Sequence, residues 1–403
     1  MTNTTIPKRE RVFKLVGYGI TCLLLLCIIV FSWTDLSYIV FGRSLDELGF
    51  VLPLFVTAWI IFTLFFGGAR LLQSKRSGDE RFARSGRESL SLGGLTLLVS
   101  LVAWPPSWLA RKIFHRPDTQ LTQVTPKHRL HLMSWNVQTM GVLVPNPSDS
   151  GIKRSQLIRE SRRCVHETIK RIEREAGASL DIFAFQEVTN TGLQALESAL
   201  NLRCQFISYK AGPKVKTSKT GLGICDRDGG AWRLNYARNI VMHGDGNWRA
   251  LFSEVSSTQA SNLTFNLMNV HFKAHGLEDI KHKVAALDFD EVLSQIAKTS
   301  KKQRIQADGL LSIIKHYHDP TLMMGDFNAP PHVGAHPLLQ NEWTDVWRAS
   351  GSTFGATRYL NPFLFFRVDF IYSKRDTFNL VDSRVTSSDC SDHLPLSARL
   401  ILP

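Results

Sequence analysis

Eight polar side chains in the sequence stand at the ends of short apolar segments, and their types are those that catalysis uses. Carboxylate and amide oxygens bind hard cations, and histidine changes its charge near neutral pH. A strand end suits such groups because the strand fixes the backbone. The eight are Asn136 in SWNVQ, Glu187 in FAFQEV, His271 in MNVHFKAHG, Asp326 and Asn328 in MMGDFNAPP, Asp369 in FRVDFIY, and Asp392 with His393 in CSDHLPL.

Each of these residues has an ordinary structural explanation when it is considered alone. An asparagine or glutamate after a strand is commonly a turn or capping residue, and a Gly-Asp pair is commonly a turn. A single histidine between apolar residues is more often a hydrogen-bonded core residue than a catalyst. His275, four residues after His271, is expected to face solvent. The order of the eight along one chain is therefore more informative than any single member.

The segments around these residues predict an α/β domain of about 275 residues, because short strands alternate with amphipathic helices. Helices are predicted at Ile152–Ala176, after a cap at Asn190, and at Lys283–Ile296 and Lys302–Tyr317. Strands are predicted at Leu130–Trp135, Leu180–Gln186, Gln205–Tyr209, Gly221–Cys225, Leu251–Val255, Leu263–His271, Thr321–Met324, Val368–Tyr372 and Leu396–Ile401.

The polar motifs follow a definite order, namely strand-Asn, Gln-Glu, strand-His, Gly-Asp-x-Asn, Arg-x-Asp-x-Ile and Ser-Asp-His. This ordered set closely resembles the endonuclease/exonuclease/phosphatase superfamily, also called deoxyribonuclease-I-like. Its members include abasic-site endonucleases, neutral sphingomyelinases and inositol polyphosphate 5-phosphatases. The resemblance extends from about Leu130 to the C-terminus. It implies a four-layered αββα sandwich and hydrolysis of a phosphoester by a metal-activated water.

The resemblance also implies a metal site. Glu187 would supply a carboxylate ligand, Asn136 an amide oxygen, directly or through water, and Asp392 a second carboxylate. Oxygen ligands of this kind suit Mg²⁺, which keeps several of its waters, and Mn²⁺ is an alternative. The bound ion would polarise the phosphoryl oxygen and screen the leaving group.

The other five residues receive catalytic roles from the same resemblance. His393 would act as general base on the attacking water, and Asp369 would orient its ring and stabilise the imidazolium. Asp326 would position the water, Asn328 would donate a hydrogen bond to the phosphate, and His271 would contact the phosphoryl oxygens. The family offers more than one candidate for the base, so the choice of His393 is left open at this point.

The N-terminal part predicts a membrane anchor over residues 1–113, followed by a polar linker at 114–128 and the catalytic domain at 129–403. Three apolar runs, Val12–Trp33, Phe50–Gly68 and Ser89–Ala110, are each close to the length of a transmembrane helix. The third contains two glycines and a Pro-Pro pair, which also suit an interfacial segment. Two or three transmembrane helices are therefore expected. A cleaved signal peptide is the alternative for the first run, but no suitable cleavage site follows it.

Basic residues predict how this anchor is oriented. The N-terminal tail and the loop from Arg70 to Glu88 are rich in lysine and arginine, whereas Thr34–Leu48 contains only Arg43. The tail and the second loop are thus expected in the cytoplasm. Three spans would carry the catalytic domain to the other side of a plasma or inner membrane, and two would leave it in the cytoplasm.

Charge and cysteine content restrict the substrate and the compartment. Up to Arg116 the chain has 14 basic and 7 acidic residues, which leaves 34 and 28, a surplus of 6, for the remainder. This mild surplus suits an anionic phosphoester. A phospholipid or small organic phosphate is favoured, a nucleic acid is the alternative, and an inactive binding module is the contrasting possibility; no obligate protein partner is evident.

Six scattered cysteines without a CxxC pair argue against zinc and permit one disulfide among the last four.

Overall fold

A computed structural model of the chain describes residues 46–78, 80–103, 128–138, 154–209, 220–242, 249–276, 283, 288–331, 333–340, 342–351, 355–361 and 364–403. The chain divides into two compact units, one within residues 1–106 and the other within residues 107–403. The second unit contains all eight polar residues of the sequence motifs.

The first unit contains two helices, α1 (Asp46–Ser77) and α2 (Glu80–Ala103), which pack against each other. They approach closely where Gly67 meets Gly86, since a Cβ atom added to Gly86 would lie 2.9 Å from the Gly67 carbonyl oxygen. No helix among the described residues has both the length and the apolar character needed to cross a membrane. The predicted span 12–33, the end of the span 89–110 and linker residues 114–127 lie outside the described residues. The membrane anchor remains a prediction.

The second unit is built on two six-stranded mixed sheets and a short hairpin of β10 (Arg358–Asn361) and β11 (Leu364–Phe366). The first sheet has the order β13-β14-β1-β2-β4-β3, with β1 at Arg129–Asn136, β2 at Ile182–Thr189, β3 at Leu202–Ser208, β4 at Thr220–Arg227, β13 at Asn379–Val385 and β14 at Leu396–Ile401. The second has the order β5-β6-β7-β8-β12-β9, with β5 at Trp232–Val241, β6 at Arg249–Ser257, β7 at Thr264–His271, β8 at Thr321–Asp326, β9 at Trp343–Asp345 and β12 at Asp369–Lys374.

The alternation of side chains along each strand explains why the two sheets stack. In β1, Leu130 and Leu132 join the cluster between the sheets, whereas Met133 and Trp135 point to the opposite face. Burying a large apolar side chain of this kind contributes roughly 1.5–3 kcal/mol. The cluster between the sheets draws on both of them, with Ile182, Ala184, Leu222 and Ile224 from the first and Leu251, Val255, Phe265, Leu267, Leu322 and Met324 from the second.

Helices cover the outer faces and complete four layers. The first sheet packs under α3 (Arg154–Ala176) and α4 (Asn190–Leu200), and the second under α5 (Phe289–Ile314). Of two short helices, α6 (His336–Leu339) adds Leu339 to the cluster outside the second sheet, and α7 (Val346–Ser350) adds Val346 and Trp347 to the cluster between the sheets. The αββα sandwich expected from the sequence is thus confirmed. Two of the helix predictions were wrong: the helices predicted at Lys283–Ile296 and Lys302–Tyr317 share the single helix α5, and Thr189, not Asn190, caps α4.

The topology brings the polar motifs to one edge of the sandwich. β1 and β2 are parallel, as are β7 and β8, so the carboxyl ends of each pair lie together. In the strand pairing, Asn136 is the partner of Gln186, and His271 is the partner of Asp326. Asp326 is also the partner of Asp369, which begins the antiparallel strand β12. Four of the eight motif residues, Asn136, His271, Asp326 and Asp369, are thus placed by strand direction and register alone.

Two disulfides fix the second unit. Cys164 of α3 bonds to Cys390 in the loop before β14, and Cys204 of β3 bonds to Cys225 of the neighbouring β4. The sequence predicted at most one disulfide and no pairing, because cysteines 226 residues apart carry no local sign of contact.

Candidate active site

A buried histidine–carboxylate pair lies at the centre of the edge where the motifs meet. His393 Nδ1 donates to Asp369 Oδ2 over 2.8 Å, and both side chains are almost fully buried. The backbone of Asp369 is held by its own amide, which donates to Thr357 Oγ1 over 3.0 Å. Because the carboxylate accepts the Nδ1 proton, the lone pair of a neutral ring lies on Nε2. That nitrogen faces Asp326, at 3.7 Å from Oδ2.

Asp326 occupies the middle of the site, at the end of β8. Its Oδ1 accepts the backbone amide of Asn328 over 2.8 Å, and its Oδ2 accepts from Asn136 Nδ2 over 3.0 Å. The preceding Gly325 has φ of 150°, and any Cβ there would overlap the carbonyl oxygen of Val270 on β7. Glycine therefore allows β8 to approach β7 closely enough to place Asp326 beside the end of that strand.

Asn136 and Glu187 meet Asp326 from the first sheet. Asn136 Nδ2 also donates to Glu187 Oε1 over 3.1 Å, so that one amide contacts both carboxylates. Glu187 lies within an irregularity in the pairing of β2 with β4, between Phe185 and Val188, and has φ of 52°. Residues other than glycine seldom adopt this left-handed conformation, and they concentrate at functional sites. The bulge turns the Glu187 side chain, which is 32% exposed, toward the site.

His271 closes the site on the side of β7. Its Nε2 lies 3.5 Å from Asp326 Oδ2 and 3.8 Å from Glu187 Oε1, and its Nδ1 is 2.8 Å from the hydroxyl of Tyr209. That hydroxyl accepts the backbone amide of Glu187 over 2.7 Å. Burial raises the pKa of Tyr209 well above its usual value, so the phenol keeps its proton. The phenol can donate to Nδ1, and Nε2 is the ring nitrogen that faces the carboxylates.

Asn328 and Asp392 have different surroundings. Asn328 has φ of 50°, is buried beside Asp326, and donates from Nδ2 to the Phe272 carbonyl over 3.1 Å. Asp392 instead forms an ion pair with Arg358, whose Nη2 lies 2.9 Å from Asp392 Oδ2. No hydrogen bond or ion pair of the described residues links Asp392 to Glu187 or Asn136. The structure brings seven of the eight residues together and directs the eighth to an arginine.

The charges of this cluster act strongly on one another. Burial lowers the pKa of His393, but the carboxylates of Asp369 and Asp326 raise it more, to about 9. Burial raises the pKa of Asp369, and the positive His393 offsets only part of that effect. For Asp326, burial is outweighed by His393, His271 and Arg358, which lower its pKa. The site thus favours an ionised Asp326 beside a proton-holding histidine.

Comparison with known protein families identifies the family of the chain. The model of the Endonuclease/Exonuclease/phosphatase family matches residues 133–393, well over half of the chain. The chain belongs to this family. Its members are hydrolases that act on phosphoesters, and they typically depend on a divalent metal ion. No curated protein sequence matches the chain.

Two solved structures share the fold. A family protein from Bacteroides vulgatus is 17% identical, covers 68% of this chain and 99% of its own, and has a TM-score of 0.51. A conserved protein of unknown function from Enterococcus faecalis is also 17% identical, with coverages of 68% and 100% and a TM-score of 0.50. At this identity the likeness shows the fold alone, that of the second unit.

The donor atoms of the site fit the divalent cation typical of the family. Asp326, Asp369 and His393 present ligand atoms within 4.8 Å of one another. Asp369 already accepts from His393 and is fully buried, so this pair suits proton transfer better than metal binding. Glu187 and Asp326 converge on the Asn136 amide and offer carboxylate oxygens, which hard cations prefer. The residues present therefore fit such an ion at the end nearer Glu187.

Sequence reasoning missed Tyr209, Arg358, Thr357 and Ser391. Tyr209 and Arg358 have no motif, and they reach the site only through the pairing of distant segments. Ser391 stands inside the Ser-Asp-His motif; its Oγ donates to the Asn136 carbonyl over 2.8 Å and accepts the His393 amide. The motif itself was the signal that could have identified it. The expectation that His275 faces solvent was wrong, because the residue is 3% exposed.

Proposed function

We propose that this family member hydrolyses a phosphodiester or phosphomonoester by attack of water at phosphorus, with His393 as general base. The observation that supports this most directly is the His393–Asp369 hydrogen bond of 2.8 Å, together with the orientation of Nε2 toward Asp326. A base must have a partner that fixes its ring and a nitrogen whose lone pair, in the neutral ring, faces the reacting water. This pair has both, in a place where carboxylates and amides converge.

Each neighbouring side chain has a task in this reaction. Asp326 holds the attacking water, which gives its proton to His393 Nε2, and Asp369 stabilises the imidazolium. His271 donates from Nε2 to a phosphoryl oxygen and thereby stabilises the negative charge that develops there. Asn328 uses one amide hydrogen on Phe272 and has a second for the phosphate. Arg358, held by Asp392, adds positive charge at the same edge.

Mg²⁺, with Mn²⁺ as an alternative, is the ion we propose for the Glu187 end of the site. Glu187 and Asp326 would hold it through carboxylate oxygens, and Asn136, whose Nδ2 donates to both carboxylates, would orient them. When bound, the ion would polarise the phosphoryl oxygen and screen the leaving group. Asp392 was expected to take part from its motif, but its ion pair with Arg358 supports an outer role for it.

The substrate that we favour is a phospholipid or a small organic phosphate, supplied at a membrane surface. Support for an anchor in residues 1–113 comes from the three apolar runs and from α1, where Phe62, Phe65 and Leu72 are 57%, 78% and 63% exposed. Apolar side chains exposed in this way suit contact with lipid or protein. The two disulfides support an extracytoplasmic catalytic unit, because such bonds persist in oxidising compartments.

Two experiments test the proposal. Purified full-length protein with Mg²⁺ is assayed for phosphate or product release from phospholipid vesicles, inositol phosphates, and single- and double-stranded DNA. Release by the wild type but not by His393→Ala supports the reaction, and the preferred substrate decides between lipid, organic phosphate and nucleic acid. Absence of release from every substrate at all metal concentrations would favour a binding module. A reporter active only outside the cytoplasm, fused after Pro403, tests the side of the membrane.

A further inference from the structure

The disulfide Cys164–Cys390 lies next to the catalytic motif in the chain. Cys390 directly precedes Ser391, Asp392 and His393, whereas Cys164 lies on α3, outside the first sheet. The two Cα atoms are 5.7 Å apart, although 226 residues separate them in the sequence. This bond therefore ties the loop that carries His393 to α3, a helix that supplies none of the eight motif residues.

Further contacts join the same helix to the same loop. Arg171 of α3 donates to the Ser387 carbonyl. Thr168 Oγ1 lies 3.3 Å from Ser388 Oγ and 3.5 Å from Cys390 Sγ. The Cys390 amide donates to Ser388 Oγ over 3.2 Å. The loop between β13 and β14 is thus supported from α3 through side chains, since it has little strand pairing of its own.

From Cys390 the restraint continues to the base. Ser391 Oγ donates to the Asn136 carbonyl and accepts the His393 amide over 3.1 Å. The carbonyl of His393 accepts from Trp135 Nε1 over 3.0 Å, and the Leu394 amide donates to the Thr357 carbonyl over 2.6 Å. His393 is thereby held between β1 and the segment before β10, and the disulfide secures the end of the loop nearest to α3.

We propose that Cys164 and Cys390 are positioning residues for hydrolysis, and that reduction of their disulfide slows the enzyme by releasing His393 and the Asp392–Arg358 pair. This inference rests on the proposed function. A dithiol reductant would give two electrons and two protons to the bond, forming two cysteine thiols and its own cyclic disulfide. Both cysteines are half-buried, so a small thiol can reach them. A base displaced by about 1 Å can cost on the order of 10²-fold in rate.

The second disulfide provides a matched control. Cys204 and Cys225 are direct partners in the β3–β4 pairing, with Cα atoms 4.1 Å apart. β3 is the edge strand at one end of the first sheet, and β14, which follows the catalytic loop, lies three strands away from β4. The bond therefore reinforces strand pairing that exists without it, and Phe183, which pairs with Cys225 on the other side, is not a residue of the site.

The experiment compares the wild type, the double variant Cys164→Ala/Cys390→Ala and the control Cys204→Ala/Cys225→Ala, all as full-length protein with Mg²⁺. Turnover of the best substrate is measured with and without dithiothreitol, well below the melting temperature of each variant. We expect kcat of the first variant to fall roughly 10- to 100-fold with little change in KM. Dithiothreitol should slow the wild type and the control variant alike and leave the first variant unchanged.

Hydrogen exchange at the amides of His393 and Leu394 supplies a readout that does not depend on activity. It should quicken in Cys164→Ala/Cys390→Ala and stay unchanged in the control variant. Equal kcat for all three proteins, equal losses in both variants, or unchanged exchange at His393 would each overturn the proposal. If the wild type hydrolyses none of the substrates, the proposed function fails, and the exchange measurement still decides whether the disulfide positions the loop.

Discussion

Replacing Asp369 by asparagine tests the most specific feature of the site. Asp369 Oδ2 accepts the His393 Nδ1 proton, and the two side chains are 0% and 2% exposed. Asparagine keeps the size of the side chain, and the backbone stays held by Thr357. Its amide can donate to Nδ1, which would move the ring proton to Nε2. A ring with its proton on Nε2 cannot accept one from water, so Asp369→Asn should lose the base without losing the fold.

Two effects determine how much activity Asp369→Asn should lose. In serine proteases the corresponding loss of the carboxylate that orients the histidine lowers kcat about 10⁴-fold. A general base by itself contributes about 10²–10⁴-fold, so His393→Ala should lose a similar factor. The carboxylates also raise the pKa of His393 from 6.5 to about 9, which is roughly 3 kcal/mol of preference for the imidazolium. Removing one of them should lower that pKa.

The sign of the pH effect is definite. Neutral His393 is the reactive form, so activity rises with pH through the pKa of His393. In Asp369→Asn the residual activity should rise at lower pH than in the wild type, at the same Mg²⁺ concentration. The assay is steady-state turnover from pH 5 to about 10 for the wild type, both single variants and the double variant. Because the two residues act as one unit, the double variant should be little worse than His393→Ala. Fully additive losses, or an unmoved acidic limb, would refute the role given to Asp369.

Three further predictions concern the metal, the strand contact and acid stability. Glu187→Gln should reduce Mg²⁺-dependent turnover by orders of magnitude with an unchanged melting temperature, since the residue is 32% exposed; an unchanged Mg²⁺ dependence would exclude it as a ligand. Gly325→Ala should lower the free energy of unfolding by about 1–3 kcal/mol and also reduce turnover, because the alanine Cβ would overlap the Val270 carbonyl oxygen. A variant with the stability of the wild type in urea unfolding and with wild-type turnover would contradict this. Burial lowers the pKa of His275 to about 4 in the folded protein. As the pH falls below 6.5, the unfolded chain therefore binds a proton at His275 and the folded protein does not. This difference should lower the free energy of unfolding by about 2 kcal/mol at pH 5. His275→Gln should lose that much less stability than the wild type between pH 7.5 and 5, and equal losses would show that folding leaves the pKa of His275 unchanged.

The fold and most of the site were predictable because they depend on local patterns. An apolar segment that ends in a polar residue marks a strand end, and the order of the motifs is characteristic of one superfamily. β5 was missed because it reads WRLNYARNIV, where exposed arginines and asparagines interrupt the apolar positions of an edge strand. Long-range contacts have no such sign. Neither the Arg358–Asp392 ion pair nor the Cys164–Cys390 disulfide follows from spacing in the sequence.

The site also joins the two sheets through hydrogen bonds, and this explains why polar groups are tolerated at a largely buried position. Asn136 and Glu187 come from the first sheet, whereas His271, Asp326 and Asp369 come from the second. A second cross-sheet contact lies deeper, where Gln186 Nε2 donates to Asn269 Oδ1 over 2.7 Å, and Asn269 Nδ2 donates back to the Phe185 carbonyl over 2.9 Å. Apolar packing between sheets leaves small sliding movements open, but paired hydrogen bonds with defined directions do not. We infer that the Gln186–Asn269 pair fixes the register of the sheets, and hence the distance from Asp326 to Asn136, on which the geometry of the site depends.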